Sequence, residues 1–169
     1  MNQRTPVTDL AFIGKKEIEK EKENQQFYDF LLFHDFEELE SKVHALYLSV
    51  EAAVDCTACG NCCQSLMINV TSEEVDILAE AMQTTPSAIK EKYIEESQQG
   101  QLIMNTIPCH FLSGRKCSIY EHRFRECRDF PHLHKPGFLQ RLPGTLMHYG
   151  RCPIIYNVVE LLKEEYSYL

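Results

Sequence analysis

Several kinds of segment are missing from this chain of 169 residues. No run of 18 or more apolar residues occurs, which argues against a membrane-spanning helix and against a membrane partner. The opening MNQRTPVTDLAFIGKKE offers only the short run Leu10 to Ile13 before charge returns, so it lacks the basic-then-apolar order of a secretory signal. An excess of positive charge is also lacking. Lysine and arginine total 17 against 25 aspartates and glutamates, for a net charge of −8 and a pI near 5.4. Such a balance opposes nonspecific binding to nucleic acid, because phosphate affinity needs a basic surface that releases counterions. A local basic group, Arg115, Lys116, Arg123, Arg125 and Arg128, is the one lesser opening toward an anionic ligand. No internal repeat is evident. The expected setting is the cytoplasm.

What the chain does have is cysteine: eight, four of them packed into CTACGNCC as Cys56, Cys59, Cys62 and Cys63. Four more follow at Cys109, Cys117, Cys127 and Cys152. A chain of this length, 44% hydrophobic and 25% charged, buries an apolar core without crosslinks. In a reducing compartment, where disulfides are rare, eight thiols read as metal ligands instead of bridges.

Apolar periodicity makes the chain mainly α. Phe27, Phe30, Leu31 and His34 share a helical face, which predicts a helix from about 16 to 33. Its charge run sets Lys16 and Glu19, Glu17 and Lys20, and Lys20 and Glu23 three apart, as on a solvated helical face. Phe36, Leu39, Val43, Leu46, Tyr47 and Val50 predict a second helix with Asp35 as its cap, ending by Asp55. Thr71 and Glu74 form a capping-box pattern, and Thr85-Pro86 a cap with proline at the first helical position. Those two signals predict short helices over about 72 to 82 and 86 to 97. QLIMN reads as a short strand, and CHFLSGRKCSIY as a hairpin turning at Ser113-Gly114. Pro153 starts a last helix along Ile155, Val158, Val159 and Leu162.

The expectation is therefore a single small helical domain over residues 1–169 with an irregular cysteine-rich core. N-terminal helices occupy about 16–54, the cysteine region about 55–153, and the C-terminal helix about 154–167. The segment HLHKPGFLQRLPGT, rich in proline, glycine and basic residues, is expected to be a loop, mobile or lying over the metal site.

Cys56, Cys59 and Cys62 have the spacing by which bacterial ferredoxins supply three thiolates to one cluster from a tight loop. Gly60 suits that loop, since it can take positive φ and admit backbone N–H groups close to sulfur. The fourth ferredoxin ligand is often a Cys-Pro, but here Cys63 follows at once and Cys152-Pro153 is distant. In extended chain Cys62 and Cys63 would point to opposite sides and serve different sites. Eight thiolates divide into two sets of four, enough for one or two zinc ions or iron–sulfur clusters, and thiolate ligands alone do not separate the two metals. His110, His132, His134 and His148 are the candidates for a mixed Cys3His site, while His34 and His44 read as ordinary residues. Arg123, Arg125 and Arg128 flank Cys127 and would offset thiolate charge, with a clamp on a carboxylate or phosphate as the rival role.

CTACGNCC together with PCHFLSGRKCSIYEHRFRECRDFP resembles the CxxCxxCC, or YkgJ-like, family of zinc- or iron-chelating proteins. The resemblance covers Cys56 to Cys63 and Pro108 to Pro131, and it implies metal binding. One departure is Phe124, where the family pattern usually has proline. Flagellin lysine-N-methylases carry a similar cysteine cluster, but the likeness stops there and no glycine-rich nucleotide loop occurs. Three functions follow: a metal protein holding zinc or an iron–sulfur cluster, an iron–sulfur-dependent, methyltransferase-like enzyme modifying a protein or peptide side chain, or a zinc-braced interaction module, with a protein or small molecule as the partner.

Overall fold

The computed structural model describes residues 5–34 and 36–168. Among them are eight α-helices and two small antiparallel sheets, so the protein is mainly α, as its periodicity predicts. No helix among these residues is long and apolar enough to cross a membrane. The chain forms two compact units, one of residues 1–55 with 131–169 and one of residues 56–130.

The first unit is built from helices α1 (Leu10–Phe33), α2 (Leu39–Glu51), α7 (Phe138–Leu146) and α8 (Pro153–Glu165). Helix α1 starts six residues before the predicted Lys16, because the Asp9 carboxylate accepts the N–H groups of Ala11 and Phe12 and satisfies two otherwise orphaned donors. Its buried residues Ile13, Phe27 and Leu31 face the same core as Val43 and Val50 of α2 and Val158, Val159 and Leu162 of α8. The predicted cap Asp35 lies outside the described residues; α2 begins at Leu39, with no side-chain bond from its cap residue Glu38. Segment 132–145, expected as loop, is largely helix α7. Gly137 enters it in the left-handed conformation, Phe138 and Leu142 are fully buried, and Pro143 is tolerated inside the helix because that packing outweighs one lost backbone bond.

Lys163 of α8 is completely buried in this unit. Its ammonium group donates to Glu23 Oε1 at 2.6 Å, Asn24 Oδ1 at 2.6 Å and Glu160 Oε1 at 2.8 Å, so all three protons are used. Lys20 and the Tyr149 hydroxyl complete the network by donating to Glu160. Burial pushes the Glu160 carboxyl up, but the hydrogen bonds and charges of Lys163 and Lys20 outweigh it and leave the group below the usual carboxylate range.

The second unit begins with α3 (Cys56–Cys59) and continues through β1 (Asn69–Val70), α4 (Ser72–Ala81) and α5 (Pro86–Tyr93). Strands β2 (Ile94–Glu96) and β3 (Leu102–Met104), the hairpin β4 (Leu112–Ser113) and β5 (Lys116–Cys117), and helix α6 (Arg125–Asp129) complete it. The capping box is present: Glu74 N–H donates to Thr71 Oγ1, and Thr71 N–H to Glu74 Oε2. Helix α5 stops at Tyr93, not near 97. The chain there leaves the helix as β2, which pairs antiparallel with β3, Ile94 opposite Met104 and Glu96 opposite Leu102. Sheet partners some ten residues away take over the backbone groups that local propensity would have kept in a helix. Strand β3 sits between β1 and β2, and the hairpin turns at Gly114, with φ of +63°. Val75, Leu78, Ile89, Met104, Phe111 and Phe124 form the core of this unit, and Cys109, Cys117 and Cys127 pack against it.

Candidate metal centre

Seven of the eight cysteines lie in the second unit, and Cys152 lies in the first. Three features of the backbone position these segments. Gly60 ends α3 in the left-handed conformation, with φ of +61°, and its N–H donates to Cys56 O. The absent side chain lets it rest directly on Arg115: a β-carbon there would overlap the Arg115 carbonyl, which stands in the hairpin turn just before Cys117. Next, Cys109 N–H donates to Cys63 O at 2.8 Å, tying the cysteine string to the second group of cysteines by a main-chain bond. Finally, α6 carries Cys127 against β1 and the core.

Cys62 to Gln64 form a 3-10 turn, not the extended chain that would send neighbouring side chains to opposite sides. Successive side chains in such a turn are about 120° apart, so the two can meet. They do, and the hydrogen bond to the Cys62 sulfur, followed by burial, holds the proton on Cys63 and pushes its pKa far up. The sulfurs of Cys63, Cys109, Cys117 and Cys127 lie within range of one another's charge. Burial pushes Cys109 up first, and negative charge on Cys63 or Cys117 adds to it. Cys117 is raised in the same way by burial and by Cys63. Cys127 is pushed up to about 12, chiefly by burial and then by Cys63, Cys109 and Cys117.

Opposing these effects are groups that favour thiolate. The Phe111 N–H donates to Cys109 and the Ile119 N–H to Cys117, each from the residue two further along. The Arg123 guanidinium lowers both Cys117 and Cys127, and it lies 3.8 Å from the centroid of the Tyr120 ring. Arg123 thus takes the charge-offsetting role expected of the arginines near Cys127. Arg128 is engaged otherwise, donating to Arg123 O at 2.6 Å, and Arg125 meets Glu74 through its main chain. Phe124, the departure from the proline pattern, is 2% exposed and meets Phe111 edge-on, so it serves the core behind the thiols.

No disulfide joins any of the eight cysteines. Among the described residues no three histidine, cysteine or acidic side chains stand closed up as a ready metal-holding group. The donor set itself fits zinc or iron, since four sulfurs reach one another's field and two already receive backbone N–H bonds.

The remaining candidates divide between the two units. Cys152 is buried at the head of α8, where its N–H donates to His148 O. Of the four candidate histidines only His110 belongs to the cysteine unit, and its Nε2 is 2.8 Å from Asn105 Oδ1 with the ring edge-on to Tyr93. His132, His134 and His148 belong to the first unit; burial, then Arg151, lowers His148.

A family model titled "CxxCxxCC: Putative zinc- or iron-chelating domain" matches residues 55–145, just over half of the chain. The chain belongs to this family. Metal chelation is the property its description carries, and the match contains Cys56 to Cys127 but not Cys152. No curated protein and no solved structure matches the chain.

Two carboxylates that periodicity did not single out hydrogen-bond at and across helix α6. Glu74 and Glu126 brace α6, and only the capping-box signal at Glu74 marked either of them in the sequence.

Proposed function

We propose that this protein is a thiolate metal protein whose centre is held by Cys63, Cys109, Cys117 and Cys127, with Cys56, Cys59 and Cys62 in the adjoining turn. The observation that carries this reading is that Cys109, Cys117 and Cys127 pack against one small core while the Cys109 N–H bonds Cys63 O at 2.8 Å, with Cys63 acting on the charge of all three. Each ligand must give up a proton, so loading releases protons and strengthens as pH rises. The Phe111 and Ile119 N–H groups and the Arg123 guanidinium then receive the negative charge that four thiolates concentrate. A bound zinc ion would brace the cysteine segments, whereas an iron–sulfur cluster would add one-electron chemistry. The reducing cytoplasm suits such a centre, because thiols there stay available for metal.

The test is metal and acid-labile sulfide content of protein produced without air. Zinc without sulfide identifies a zinc site, and iron matched by sulfide a cluster. Serine at Cys63, Cys109, Cys117 or Cys127 should lower the metal content sharply, and Cys152→Ser should leave it unchanged. A wild-type protein that takes up neither metal sinks the reading.

A further inference from the structure

Helix α6 is five residues long, too short to hold its own shape or direction in water. Yet it carries Cys127, which packs against the core of this unit beside Cys109 and Cys117. Its direction is fixed from outside by two carboxylates. Glu74 of α4 uses one oxygen, Oε2, for the capping box with Thr71 and the other, Oε1, to accept the Arg125 N–H at 2.5 Å. Glu126, next to the cysteine, reaches the other way: Oε2 accepts the Asn69 backbone N–H at 2.8 Å and Oε1 accepts Asn69 Nδ2 at 3.0 Å. All four bonds need an acceptor on the carboxylate, and each carboxylate serves two donors.

We propose that Glu74 and Glu126 are the positioning residues of Cys127, locking α6 between α4 and β1 so that this thiol is presented to Cys63, Cys109 and Cys117. Neither carboxylate touches the metal in this arrangement; both act through the helix. The purpose of the brace rests on the metal reading, but the brace itself can be judged without any metal.

Glutamine is the informative substitution at Glu74: its amide offers one acceptor and one donor where the carboxylate offers two acceptors, so one main-chain N–H is left facing another N–H. At Glu126 the Asn69 amide would turn over to meet a glutamine, so alanine is the informative change, removing both acceptors. The first measurement uses metal-free, reduced protein and iodoacetamide, with alkylation read at each cysteine by mass spectrometry. Glu74→Gln and Glu126→Ala should speed alkylation at Cys127 about threefold or more through local opening of α6, and leave Cys117 little changed. Thr71→Ala is the control, since it removes the hydroxyl of the capping box and spares the bond to Arg125; it should leave Cys127 alkylation as in the wild type. Unchanged alkylation at Cys127 in both Glu74→Gln and Glu126→Ala, or an equal rise in Thr71→Ala, overturns the proposal.

The second measurement titrates cobalt(II) alone into the same proteins and reads the sulfur-to-cobalt charge-transfer band. Glu74→Gln should weaken cobalt binding about tenfold, the usual cost of losing a group that orients a ligand. In a Cys127→Ser background the same substitution should change the affinity less than about twofold, because the ligand it positions is gone. An equal loss in both backgrounds would refute positioning of Cys127. Absence of any cobalt band in the wild type would count against the metal reading and leave the alkylation result to decide the brace.

Discussion

Gly60 and Gly114 offer a controlled comparison, because their backbones are nearly alike and their surroundings are not. Gly60 has φ of +61° and Gly114 φ of +63°. A β-carbon at Gly114 meets nothing within 4 Å, whereas at Gly60 it overlaps the Arg115 carbonyl, with Arg115 Cα only 3.0 Å away. Alanine at either site pays for the left-handed conformation, roughly 1–2 kcal/mol. Stiffening of the unfolded chain returns about 0.4–1 kcal/mol of that. Gly114→Ala should therefore destabilise by about 1 kcal/mol. Gly60→Ala carries in addition the overlap with main chain, which cannot swing aside as a side chain would; forcing atoms into a packed contact typically costs about 1–3 kcal/mol more. The total expected for Gly60→Ala is about 2–4 kcal/mol. Urea unfolding of metal-free protein under reducing conditions reads the difference. With a slope of about 1–3 kcal/mol per molar, the two midpoints should separate by about 1 M. Gly60→Ala should also weaken metal binding more than Gly114→Ala, since the same contact seats the cysteine turn on the segment leading to Cys117. Equal midpoints for the two variants would refute the claim that close approach to Arg115 holds the turn in place.

The buried Lys163 should be intolerant of neutral replacement. Lys163→Met takes one donor each from Asn24, Glu23 and Glu160, leaving Lys20 on both carboxylates and Tyr149 on Glu160, and should cost about 1–3 kcal/mol, read as a drop in thermal midpoint; a midpoint within two degrees or so of wild type would contradict the network's role. Glu160 sets an acid limit. Its folded-state pKa lies below the unfolded value of about 4.3, so its stabilising contribution is complete above that value and is lost as pH falls through the lowered one. Glu160→Gln should flatten the acid limb of the stability profile below about pH 4, and an unchanged slope would show that another carboxylate governs it.

The parts of the fold legible in the sequence are those specified over a few residues. Thr71 with Glu74 and Thr85 with Pro86 mark their helix starts because the capping atoms lie within one turn. The Ser113-Gly114 turn and the helix beginning at Pro153 are local in the same sense. The elements misjudged depend on remote partners. Ile94 to Glu96 leave the helical pattern because β3 is there to pair with them, and 138–146 becomes helical despite Pro143 because Phe138 and Leu142 have a core to fill. The Asp9 cap of α1 is local as well.

For the centre, the chain's own order determined the chemistry: the dense thiols of CTACGNCC, the later cysteines and a glycine able to turn tightly between them. Residue type and spacing suffice there, since affinity for soft metal is a property of sulfur. Tertiary structure alone decided which sulfurs share a field, that Cys62 and Cys63 meet in a 3-10 turn, that Arg123 is the arginine reaching the thiols, and that Cys152 lies in the other unit. Those facts turn on contacts between residues tens of positions apart, such as Cys63 with Cys109 and Glu74 with Arg125, and no local pattern of side chains encodes where such segments will touch.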